Sequence, residues 1–72
     1  MTVFMTVSVT VNGEPRDIAA CTTLDALVAT LTAAPSGVAA AVNETVVPRG
    51  EWSATRLVEG DRVEVLTAVQ GG

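Results

Sequence analysis

From Val3 to Val11 every second residue is Val or Met, and Phe4, Thr6, Ser8 and Thr10 stand between them. A period of two puts Val3, Met5, Val7, Val9 and Val11 on one face of an extended strand and the others on the opposite face. The run stops at Asn12-Gly13, two residues that tolerate positive φ and form the strongest short hairpin signal. Residues 3–11 therefore predict a strand with one buried face, turned back by a two-residue loop. The return strand is read from Glu14 to about Ala20. Pro15 has no N–H to give a neighbouring strand, so the return strand is assigned to a sheet edge or a bulge. A hairpin alone is not stable in water, so the valine face needs further strands and a cover.

The cover comes next in the chain. Leu24, Leu27, Val28 and Leu31 fall at i, i+3, i+4 and i+7, which is one apolar face of a helix. Thr22 or Thr23 offers the N-cap, with Asp25 in the first turn. Pro35-Ser36-Gly37 ends the helix. Val38 to Val42 reads as a strand, Asn43-Glu44 as a turn, and Thr45-Val46-Val47 as a strand stopped by Pro48. Arg49 to Leu57 is read as irregular, anchored by Trp52 and Leu57. Glu59-Gly60-Asp61 predicts a tight turn with positive φ at Gly60, leading into a last strand from Arg62 to about Val69.

Strand–helix–strand connections within one sheet are right-handed and place the helix on one face. The first and last strands are the longest alternating segments, so they are expected side by side, parallel, in the middle of the sheet. The helix then covers Val7, Val9, Val11, Val63 and Val65. The fold class is α+β: a mixed sheet with one helix packed on one face, the β-grasp or ubiquitin-like layout. Residues 1–69 are read as the domain and 70–72 as a tail.

Composition narrows the function. A chain of 72 residues buries only about 60% of its unfolded surface, which leaves little room for a pocket of its own. It has no histidine, lysine or tyrosine, so general acid–base chemistry would fall to carboxylates or Cys21. No His/Cys cluster offers a metal site. Eight acidic residues against four arginines disfavour nucleic acid and anionic membranes as partners. No stretch approaches a membrane span, and Met1 to Met5 lacks the charged start of a signal peptide. One cysteine excludes an internal disulfide and fits a reducing cytoplasm. Cys21 itself is expected packed inward and inert.

The sequence closes on Gly71-Gly72, preceded by Gln70. Diglycine neither caps nor packs, but it makes a thread slim enough for a narrow tunnel, carrying an α-carboxylate. The carboxylate of Gly72 is therefore the candidate working group, with Gly71 and Gln70 as its tail.

Several segments in order resemble the sulfur carrier proteins of thiamine biosynthesis, the ThiS family. They are Val11-Asn12-Gly13-Glu14, Thr23-Leu24, Val42-Asn43-Glu44, Val47-Pro48-Arg49 with Glu51-Trp52, Gly60-Asp61-Arg62-Val63-Glu64, and Ala68-Val69-Gln70-Gly71-Gly72. The family's first strand opens near Met5, so residues 1–4 are either an extension or the product of a start at Met1 instead of Met5. The resemblance implies a carrier rather than an enzyme, with no cofactor bound to it. An E1-like adenylating enzyme holding ATP and Mg would convert the Gly72 carboxylate to an acyl-adenylate. A sulfur donor protein would then displace AMP and leave a thiocarboxylate, which delivers sulfur to thiazole synthase. Other readings of the same diglycine are the small subunit of molybdopterin synthase, another ubiquitin-like sulfur carrier, or a ubiquitin-like protein modifier.

A docking face is expected near the tail. Leu66 and Ala68 alternate away from Val63 and Val65, and Ala39 and Ala41 away from Val38, Ala40 and Val42. With the helix on one face only, these four residues form an open apolar patch, with Phe4 nearby. The competing reading is ordinary small-residue surface. Asp61, Arg62 and Glu64 are read as a solvated strand edge, Trp52 as packing.

Overall fold

The computed structural model describes residues 5–32 and 37–67. The valine alternation forms β1 (Thr6–Val11), and Asn12-Gly13 turns it into β2 (Glu14–Ala19). Asn12 and Gly13 both have positive φ, 51° and 85°, which matches the right-handed twist of the strands they join. β2 pairs with β1 alone, and Pro15 faces Thr10 at that edge. The helix α1 (Leu24–Leu31) follows, then β3 (Val38–Val42), β4 (Thr45–Val47), a 3-10 helix over Arg49–Ala54, and β5 (Arg62–Thr67). Asn43 and Glu44 at the β3–β4 turn take φ of 51° and 71°, a second turn of the same hand. Gly60, at φ 87°, has the conformation expected of it.

The sheet order is β2-β1-β5-β3-β4. β1 and β5 lie parallel and adjacent, with β2 antiparallel to β1 on one side and β3 antiparallel to β5 on the other. Parallel neighbours need a long crossover, and everything from β2 to Gly60 supplies it, with α1 on one face. Leu24, Leu27 and Val28 of α1 are buried against Val9, Val11, Ala40, Val63 and Val65, closed off by Trp52 and Leu57. At about 1.5–3 kcal/mol for each fully buried aliphatic side chain, this one layer carries the favourable energy of the domain. An eight-residue helix is too short to persist alone, so α1 exists because this face holds it.

Three details differ from expectation. The segment over Arg49–Ala54 is a 3-10 helix rather than irregular chain. It brings the Trp52 ring inward, and the indole Nε1 donates to the Val47 carbonyl at 2.8 Å. Thr23 occupies the N-cap position, but its hydroxyl bonds the Asp25 carboxylate instead of a helix N–H. Asp25 then accepts from the Ala26 N–H at 2.9 Å, and the Leu24 N–H is met by the Thr55 carbonyl at 2.8 Å. A first-turn carboxylate and a neighbouring segment thus do the work assigned to the threonine. Cys21 is the third: it is exposed, at φ 70°, in the turn between β2 and α1. The turn requires a left-handed residue there, so the side chain points out rather than into the core.

Among the described residues, no helix is long and apolar enough to cross a membrane.

Candidate functional site

β5 is both the middle strand of the sheet and the element from which the chain runs on toward Gly72. Gln70, Gly71, Gly72 and Ala68 lie outside the described residues, as does Phe4. The site is therefore built from what grips β5 and from the sheet face beside its end.

At its start, β5 is held by a buried carboxylate. Asp61 is only 7% exposed, not part of a solvated edge. One of its oxygens accepts from the Val58 N–H at 2.9 Å, closing the turn over residues 58–61. The other accepts from the Asn43 side-chain amide at 3.0 Å. Asn43 in turn accepts from the Arg62 N–H at 2.9 Å and donates its own N–H to the Arg62 carbonyl at 2.7 Å. A buried carboxylate is tolerated because both oxygens are met. On the other side, the Asn12 N–H donates to the Val63 carbonyl at 2.8 Å. The Asn12 side chain accepts from the Val65 N–H at 2.8 Å and donates to the Val65 carbonyl at 3.1 Å. Two turn asparagines, distant in sequence, thus seize the backbone of one strand.

The uncovered face of the sheet is apolar at its β3–β4–β5 end. Leu66 stands opposite Ala39, Glu64 opposite Ala41, and Ala41 opposite Val46. Leu66 is 69% exposed and Val46 70%. Together with Glu44 and Glu64 these residues line a shallow groove. Its rim is charged: Glu64 is exposed, and Arg62 meets Glu44 at 3.7 Å in a solvent-exposed pair. The strand register brings Leu66, Ala39 and Ala41 together. Val46 belongs to the same patch and was missed, although the alternation in Thr45-Val46-Val47 already set it opposite to the inward Val47. Toward β1 and β2 the same face turns polar, with Ser8 donating to the Asp17 carboxylate at 2.9 Å.

On the helix side, a second groove lies between α1 and the 3-10 helix, lined by Val28, Ala29, Arg49 and Trp52 among others. Arg49 lies over the Trp52 ring, its guanidinium carbon 5.9 Å from the ring centre. A cation on an aromatic face accounts for Arg49 as packing. Among the described residues, no group of three or more His, Cys, Asp or Glu side chains is placed to hold a metal ion. The described surface thus offers an uncovered apolar face and a strongly anchored last strand.

Comparison with known proteins gives three findings. The model of the ThiS family matches residues 9–72, the diglycine included. The chain is 44% identical over 61 residues to a protein named thiazole synthase from Magnetococcus marinus. That match covers 85% of this chain but 19% of the relative's length. Among solved structures, the chain is similar to the crystal structure of the thiamine biosynthesis protein (ThiS) from Geobacter metallireducens, with a TM-score of 0.75 and 32% identity. The alignment takes in 92% of this chain and 100% of that one.

Proposed function

Because this chain belongs to the ThiS family, the sulfur carriers of thiamine biosynthesis, we propose that the α-carboxylate of Gly72 is the atom group it exists to carry. The observation that supports this most directly is that the family match runs through Gly71-Gly72 rather than stopping at the folded domain. On this reading the domain is a handle and a co-substrate, not a catalyst.

The chemistry follows from the carboxylate. With a pKa of about 3.3–3.7 it is fully ionised at neutral pH and a poor electrophile. An adenylating partner, which supplies Mg and ATP, joins a carboxylate oxygen to the α-phosphorus and releases pyrophosphate. The acyl carbon now has AMP as leaving group, and sulfur from a donor displaces it. The resulting thiocarboxylate is a nucleophile held on a folded body, which raises its effective concentration at an acceptor. Thiazole synthase is the acceptor we assign, supported by the likeness of this chain to a segment of a protein of that name. From Thr67, the end of β5, to Gly72 an extended chain reaches at most about 17 Å. That allows the last carbon to enter a partner while the face bearing Leu66, Ala39, Ala41 and Val46 docks outside. An exposed free thiol at Cys21 favours a reducing compartment, so we place the protein in the cytoplasm.

The test is intact mass after incubation with the adenylating enzyme of the same genome, Mg·ATP and a sulfide source. Replacement of one oxygen by sulfur at Gly72 is expected, and its absence, or its persistence in a variant lacking Gly72, overturns the proposal.

A further inference from the structure

The β1–β5 ladder is short. It pairs Thr10 with Arg62 and Val11 with Val63, and there β1 turns away into its hairpin. Two residues further along β5, at Val65, the next residue whose backbone faces that side, the place of a partner strand is taken by a side chain. The Asn12 carboxamide accepts from the Val65 N–H and donates to the Val65 carbonyl, as the backbone of a strand residue would. It reaches this position because Asn12 has φ 51°, the left-handed conformation that the two-residue turn imposes. With its own N–H on Val63, one residue makes three hydrogen bonds to β5 across 53 positions of sequence or nearly so.

We infer that Asn12 is a positioning residue for the reactive tail: its carboxamide extends two-sided support of β5 from Val63 to Val65 and so fixes the direction in which the chain leaves the domain. The inference rests on the sulfur-carrier reading and adds a residue to it. Without the clamp, the last point of β5 held from both sides moves back by two residues. β3 still pairs with β5 out to Thr67, so the chain is not released; beyond Val63 it is steadied from the β3 side alone. Leu66 keeps its place opposite Ala39 on the docking face. What changes is the fraction of docked complexes in which the Gly72 carboxylate is aligned with ATP, a term in kcat rather than in binding.

Asn12→Gly keeps the left-handed turn and deletes only the carboxamide. Two measurements follow. Amide hydrogen exchange should show protection at Val65 falling about tenfold or more, with Val11 and Val63 still protected. Adenylation, followed as ATP–pyrophosphate exchange with the adenylating enzyme of the same genome, should lose about fivefold or more in kcat with KM changed less than about twofold. Asn12→Asp, which keeps the acceptor for Val65 N–H but turns a negative oxygen on its carbonyl, should fall between. Ile18→Ala is the control: it trims a side chain packed against the core from β2, away from β5 and from the open face beside it, and should leave kcat alone. Equal losses of kcat in the Asn12 and Ile18 variants, or a rise in KM instead of a fall in kcat, overturn the inference, because stability or docking then explains the result. Undiminished protection at Val65 in Asn12→Gly removes the clamp itself. Wild-type protein that no adenylating enzyme accepts removes the sulfur-carrier reading, a failure visible before any variant is made.

Discussion

On the helix side of the sheet, Val9, Val11, Val63 and Val65 lie buried beneath Leu24, Leu27 and Val28, while on the other side Leu66 and Val46 stand in water beside Ala39 and Ala41. β5 supplies residues to both faces: Val63 and Val65 to the covered one, Leu66 with Arg62 and Glu64 to the open one. The difference is that one face has its cover inside the chain and the other does not. Apolar residues left uncovered, small on β3 and larger at Val46 and Leu66, form a shallow surface with a charged rim, suited to a partner that supplies the missing layer. The covered face sets stability; the open face is free to be chosen for binding.

Mutations can break this division, and the largest effect should come from the covered face. Leu27→Ala deletes a side chain that is 2% exposed, and urea unfolding should register a loss of about 2–5 kcal/mol. A loss below about 1 kcal/mol would show that the helix is not the lid we describe. Asp61→Ala should come next, at about 1–3 kcal/mol, since it strips acceptors from the Val58 N–H and the Asn43 amide. Asp61→Asn, which can still accept one bond, should cost less; equal costs would mean that the charge, not the hydrogen bonding, is what matters. Leu66→Asp tests the open face: unfolding free energy should shift by less than about 1 kcal/mol, while affinity for the adenylating partner falls in a pull-down or titration. A large loss of stability would make Leu66 part of the core. Least of all, Arg62→Ala should change stability by under about 0.5 kcal/mol, because its pair with Glu44 is exposed on both sides. A bigger loss that vanishes in high salt would promote that pair to a structural element.

The covered face was legible in the sequence because it obeys periodicity. Alternation over residues 7–11 and the i, i+3, i+4, i+7 spacing from Leu24 to Leu31 each name their inward side without outside help. The same alternation put Met5 inward, yet Met5 precedes β1, beyond the reach of the helix cover, and is 71% exposed; Val3 lies outside the described residues. Asn12-Gly13 likewise gave away its hairpin. The carboxamide of Asn12 was not legible, since turn preferences describe φ and ψ and say nothing of what a side chain will meet on a strand 53 residues on. Asp61 was misread for a similar reason: a carboxylate in a turn looks solvated until the fold brings Asn43 over it. Cys21 was expected inside on the general habit of free cysteines, and a single left-handed residue overrode it. The 3-10 helix over Arg49–Ala54 is too short to leave a period in the sequence. Of the patch among the described residues, Leu66, Ala39 and Ala41 were named from alternation alone, and Val46 escaped because a three-residue strand carries little pattern.

The central place in the sheet belongs to the strand made last among the described elements. During synthesis, β1, β2, α1, β3 and β4 all emerge before the strand that joins the two hairpins and gives the helix its floor. Contacts between β1 and β5 span more than 50 positions, so folding is dominated by distant pairings and waits until β5 has emerged. A product cut short before Arg62 lacks the strand between the two hairpins and the core residues Val63 and Val65. The architecture therefore acts as a proofreader: the sheet closes only once the strand leading to the C-terminal segment has been translated.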